Sequence, residues 1–139
     1  MAKKISLLTL IILFATIIYS QKADDIIGKY RLPNKLDVEI FKENNQYFGK
    51  VIALNGWEDG KTTDYKNPDK TKQNDLIIGK KIISGLVFDN ENKEWVNGNM
   101  YGPEKGMFFN LKVTDIREEE IEVVGSKYLF WHTLEWKKI

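Results

Sequence analysis

The stretch Trp95-Val96-Asn97-Gly98-Asn99-Met100-Tyr101-Gly102-Pro103-Glu104-Lys105-Gly106 gathers the residue types that recognise a small molecule: aromatic rings, carboxamides and a glycine-proline turn. Read with a period of two, Trp95, Asn97, Asn99 and Tyr101 share one face, and Val96, Gly98 and Met100 share the other. The first face would line a pocket with apolar walls and a few polar anchors; turned outward, it would leave Val96 and Met100 to fill the interior. Gly102 to Gly106 reads as a turn, since glycine supplies positive φ and Pro103 pre-sets φ.

Other chemistry-bearing residues are sparse. His132 is the one histidine. It shares parity with Phe130, Leu134 and Trp136, and without a second histidine it makes no histidine-based metal site. It reads as a hydrogen-bonded residue at the edge of a core. Asp59, Asp64, Asn67 and Asp69 crowd one segment, but their spacing is not that of a calcium loop. Asp64 and Asn67 read instead as holding an Asx-type turn ahead of Pro68. No nucleophile elbow, P-loop or H-E-x-x-H pattern is present, and no carboxylate pair is singled out for acid–base work. The expectation is no metal and no cofactor, with an enzyme as the third-ranked reading.

The elements that position these residues are short and apolar-alternating. Ile26 to Leu32 reads as a first strand. Leu36, Val38 and Ile40 alternate with Asp37 and Glu39, then Glu43 to Gln46 turns the chain and Tyr47 to Leu54 returns. Asn55 to Asp75 is a polar connection of unusual length carrying a lone aromatic, Trp57, and is a candidate lid. Leu76 to Phe88 is rich in Ile, Leu and Val, with Gly79 and Gly85 as bulge or bend positions. Met107, Phe109, Leu111 and Val113 share a face, and Glu120 to Val123 and Lys127 to Lys138 alternate again. No stretch after residue 20 sustains a helical period. Seven or eight short strands joined by polar turns predict an all-β antiparallel barrel or sandwich in one domain, residues 21–139.

Residues 1–20 have a different character. Lys3 and Lys4 precede an almost unbroken apolar run, Ile5 to Ile18, and Ser20 supplies a small residue before Gln21. That is the layout of a secretory signal peptide, and the run is shorter than the ~20 residues of a spanning helix. The expectation is an exported protein, periplasmic or extracellular, cleaved before Gln21 and without a transmembrane span afterwards. The sequence has 21 Lys+Arg against 20 Asp+Glu. Two of the lysines lie before Gln21, so the remainder is near neutral, which argues against nucleic acid as a partner. It has no Cys, so a thiol nucleophile, a disulfide and a lipid anchored on cysteine are excluded.

The order Asp64-x-x-Asn67-Pro68, Gly79, Ile82, Gly85-Leu86, Trp95-x-x-Gly98-x-Met100-Tyr101-x-Pro103-x-x-Gly106, Gly125 and Trp136 resembles the bacterial domain of unknown function 2147. The resemblance runs from about Gly28 to Trp136. It implies a small exported protein of Gram-negative bacteria with a compact, lipocalin-like β-barrel, and it implies no reaction. This chain departs from the pattern at Tyr30, where the family has Trp, at Gly102, where it has an acid, and at Phe109, where it has Tyr. A proline usual ahead of Gly79 is also absent.

Together these readings predict an exported, monomeric barrel that binds a small apolar or amphipathic molecule through Trp95, Asn97, Asn99, Tyr101 and Trp57. Asp64, Asn67, Pro68, Gly98, Pro103 and Gly106 are expected to organise its loops. The alternative is a filled barrel that docks on an envelope protein through an edge strand or the long connection.

Overall fold

The computed structural model describes residues 20–139. Eight antiparallel strands run β1 (Gly28–Arg31), β2 (Asp37–Glu43), β3 (Gln46–Ala53), β4 (Lys81–Asp89), β5 (Glu94–Gly102), β6 (Met107–Ile116), β7 (Glu120–Lys127) and β8 (Phe130–Lys138). Each pairs with the next, and β8 returns to β1, closing an up-and-down barrel. The predicted all-β barrel is therefore the observed fold. The expected signal segment lies on residues outside those described, apart from Ser20.

Local chemistry explains the strands. Val38 and Ile40 on β2, Leu111 and Val113 on β6, and Ile121 and Val123 on β7 are all buried, while the residues between them face outward. The β2–β3 turn is made by Asn44 and Asn45 at φ 49° and 61°, the pair of left-handed residues that a two-residue hairpin needs. Expected strand starts shift at two places. Ile26 lies in a 3-10 turn, Ala23–Ile26, rather than in β1, and β4 begins at Lys81 rather than near Leu76.

The barrel has one closed end. The Ala23–Ile26 turn sits across it: Trp95 Nε1 donates to Ala23 O at 2.8 Å, Tyr30 Oη to Ile26 O at 2.7 Å, and Tyr47 Oη to Asp24 Oδ1 at 2.6 Å. Trp95, Tyr30 and Tyr47 are each at most 1% exposed and fill that half of the interior.

The seam between β8 and β1 is asymmetric. β8 has nine residues, but only Lys137 and Lys138 have partners on β1, namely Arg31 and Tyr30. The chain leaves β1 at Leu32 and turns into β2. The upper part of β8, Phe130 to Leu134, thus rises past the wall that closes it lower down.

A cleft at the open end of the barrel

That rise opens the interior. A hollow of about 160 Å³ is floored by Trp136, Leu111 and Met100 and walled by Leu32, Phe109 and Val123. A second, of about 240 Å³, continues from it toward the rim along Phe130, His132 and Leu134. The two share Glu104, Phe109, Gly125 and Leu134. One cleft therefore runs from a buried tryptophan to solvent. Its floor is apolar; Asn34 is a polar group on the inner wall, Glu104 stands at the boundary, and Lys105, Ser126, Lys127 and His132 lie in the outer part. Glu104 is held by Asn34 Nδ2 at 3.2 Å, and Lys127 Nζ donates to Phe108 O at 2.7 Å. A molecule with an apolar body and a polar end would fit with that end at the rim.

A larger hollow, about 840 Å³, lies on the outside of β5–β8. Exposed Asn97, Asn110, Lys112, Trp131 and Thr133 contribute to its lining. A ligand there would keep much of its surface wet, so the smaller interior cleft offers more apolar burial per ligand atom.

The residues expected to form one pocket wall do not share a face. β5 carries an extra residue between Trp95 and Gly98, which pair with Val113 and Leu111 of β6. Asn97 takes φ 63° at this bulge. Two successive residues, Val96 and Asn97, consequently turn outward, and the alternation restarts one residue late. Trp95, Gly98 and Met100 face in, whereas Asn97 and Asn99 are exposed on the outer wall. Trp95 packs in the filled half against Phe88, with ring centroids 5.0 Å apart.

Tyr101 is buried for another reason. It stands outside the barrel, beneath the long connection, and its hydroxyl donates to Asp64 Oδ1 at 2.8 Å. Trp57 is also buried, edge-on to Tyr65 at 6.2 Å, and its Nε1 has no hydrogen-bond partner among the described residues. None of the residues 55–75 contributes to the lining of the interior cleft. The connection is a clamp on the wall, not a lid over the mouth.

Its bonds centre on Asp64 and Asn67, where Asn67 Oδ1 accepts from a backbone amide and the Asp64 carboxylate meets side chains. Asn67 N donates to Asp64 O at 2.9 Å, Asn67 Nδ2 to Asp64 Oδ2 at 2.7 Å, and Asp69 N to Asn67 Oδ1 at 2.9 Å around exposed Pro68. Lys80 Nζ approaches Asp64 Oδ2 at 3.2 Å. Buried Pro103 lies in the β5–β6 turn, which Gly106 N closes on Gly102 O at 2.8 Å. Among the described residues, no three His, Asp or Glu side chains are grouped to hold a metal.

The cleft residues were partly visible in the sequence. The shared parity of Phe130, His132, Leu134 and Trp136 is their common inward face, but it suggested a core edge rather than a site. His132 is exposed at the rim, where a hydrogen-bonded residue at the edge of a core was expected. What the alternation could not show is that β1 stops short of β8.

The family described as an uncharacterized protein conserved in bacteria, DUF2147, matches residues 28–138. The chain belongs to this family. A comparison with curated proteins returns no match. Among solved structures, it is similar to protein HP1028 from the human pathogen Helicobacter pylori, described as belonging to the lipocalin family. The two share 20% identity at a TM-score of 0.70 over 82% of each chain. At that identity the likeness concerns the fold, and this DUF2147 member has a lipocalin-like barrel.

Proposed function

We propose that this protein is an exported, monomeric binder of a small apolar or amphipathic molecule, held without covalent bonding in the cleft above Trp136. The observation that carries this reading is the continuous apolar path from Trp136, through Leu111 and Phe109, to the rim at Phe130. Each Å² of apolar ligand surface removed from water contributes about 25 cal/mol. Lys105, Lys127, His132 and Glu104 would orient the polar end. The basic-then-apolar segment ahead of Gln21 supports export, and the absence of cysteine is compatible with it.

Native mass spectrometry of the protein isolated from its own cells, beside Leu134→Trp, tests the reading. Leu134 is 43% exposed and lines both parts of the cleft, so a larger ring can fill the space without disturbing the closed end. The expected result is an added mass on the parent that the variant lacks. A parent that carries no added mass, and whose Trp136 emission ignores extracted lipids, would end the proposal.

The second reading, an interaction module, is favoured by a separate observation: the closed half of the barrel is filled, and large apolar side chains stand exposed on the β7–β8 hairpin.

A further inference from the structure

Tyr128, Leu129, Phe130 and Trp131 are 89%, 85%, 76% and 70% exposed, four consecutive large apolar residues in water. They form the tip of the β7–β8 hairpin, where Lys127 pairs with Phe130 across a two-residue turn. Tyr128 sits there at φ 55°, a conformation that turns usually assign to Gly or Asn. An aromatic ring in that place is held out in water, with the Lys127 ammonium 5.5 Å from its centroid.

The charge pattern indicates what covers it. The last carboxylates on the hairpin are Glu122 and Glu135, which pair across the strands. From Val123 to Leu134 there is no acidic residue, while Lys127 lies next to the tip. At about 3.3 Å per residue, roughly 20 Å of hairpin is free of carboxylate. From Trp131 to the turn is about 7 Å, the depth to which interfacial segments enter the headgroup and acyl boundary. Tyr, Trp, Phe and Leu with a flanking lysine form a composition suited to that boundary when the lipid is anionic.

We infer that the β7–β8 tip docks the protein on an anionic bilayer surface by inserting Tyr128, Leu129, Phe130 and Trp131. Phe130 also lines the outer part of the cleft, next to His132 and Leu134. Docking therefore sets the cleft mouth against the lipid, where an amphipathic ligand can pass between bilayer and barrel. This last step rests on the ligand reading; the docking itself does not.

The full chain as its cells process it, mixed with vesicles of equal parts phosphatidylcholine and phosphatidylglycerol, supplies the test. Trp131 emission should shift to the blue and be quenched by brominated acyl chains, and Trp131→Phe should remove that component. Tyr128→Ser with Leu129→Ser should lower vesicle partition by at least roughly tenfold, with the thermal midpoint no lower than the parent's. Phosphatidylcholine alone should bind several-fold less, about fivefold for one lysine. A Trp131 signal indifferent to vesicles, or partition that survives the double substitution, overturns the bilayer as occupant and points to a protein partner. Leu134→Trp separates the two readings: loss of ligand with partition intact leaves both standing, whereas partition with no ligand on either chain sinks the pocket alone.

Discussion

Tyr101 donates its hydroxyl hydrogen to Asp64 Oδ1 at 2.8 Å, joining β5 to the long connection across 37 positions. Asp64 is fully buried, and Asn67 and Lys80 hold its other oxygen. A carboxylate so enclosed depends on every partner. Tyr101→Phe should cost about 1–2 kcal/mol by removing one charged hydrogen bond. Asp64→Ala should cost about 3–5 kcal/mol, because it leaves Lys80 without its closest partner and frees the clamp. Urea unfolding of both variants gives the ranking, and hydrogen exchange should show residues 61–77 opening first in Asp64→Ala. Equal exchange in that segment would refute the clamp.

Three buried tyrosines make the fold sensitive to alkali. Burial, and then nearby Asp25, pushes the Tyr30 hydroxyl up to about 12. Tyr47 and Tyr101 are also raised, by burial first and then by their bonds to Asp24 and Asp64. An unfolded tyrosine ionises near 10. The fold therefore favours the neutral phenol: its contribution is complete below pH about 10 and is lost as pH climbs toward 12. Thermal midpoints from pH 8 to 12 should stay level at first and then fall. Tyr30→Phe should have a shallower fall, starting from a fold weaker by about 1 kcal/mol for the lost bond to Ile26. Parallel curves would show that Tyr30 does not carry this dependence.

The barrel was legible because its strands alternate cleanly where one face is buried and one wet. Val38 and Ile40, Leu111 and Val113, and the inward parity of Phe130 to Trp136 all hold. The candidate site was less legible because period-two reading assumes an unbroken pleat. One extra residue at Asn97 reverses the faces between Trp95 and Met100, and nothing in Val96-Asn97-Gly98 distinguishes a bulge from a regular strand. The burial of Trp57 and Tyr101 was equally hidden. It comes from a polar connection folding onto the outer wall, held by bonds between residues far apart in sequence. The pairing of Glu122 with Glu135 looks unfavourable as a register until Arg117 is placed, bonding both at 2.8 and 3.3 Å.

The bulge itself makes a sharp demand at Gly98. A Cβ there would stand 2.6 Å from Leu111 O and 2.6 Å from Leu86 Cδ2. Backbone on one side and core on the other leave little room to yield. Gly98→Ala should destabilise by about 2–3 kcal/mol. At Gly49 the nearest atom, Ile83 Cδ1 at 2.7 Å, is the movable end of a side chain, and the Ile83 Cβ behind it stands at 3.0 Å, so Gly49→Ala should cost less, about 1–2 kcal/mol. Denaturant midpoints of the two variants decide it, and the reverse order would mean the β5–β6 wall relaxes more than its geometry allows.

At the hairpin tip, stability and function should pull in opposite directions. Tyr128 is 89% exposed and at φ 55°, so its backbone is strained while its ring offers the fold a solvent-exposed contact with Lys127 Nζ, 5.5 Å from the centroid, that contributes about 0.5 kcal/mol. Asparagine tolerates the left-handed region and lacks that ring. Tyr128→Asn should therefore stabilise the fold, by up to about 1 kcal/mol, while weakening partition onto anionic vesicles. A thermal melt and a vesicle sedimentation assay on one preparation read both effects. If the residue served only the fold, the same substitution would leave partition unchanged. A lower midpoint with weaker partition would instead mean that the ring packs against the hairpin, and the case for an unsupported tip would fall with it.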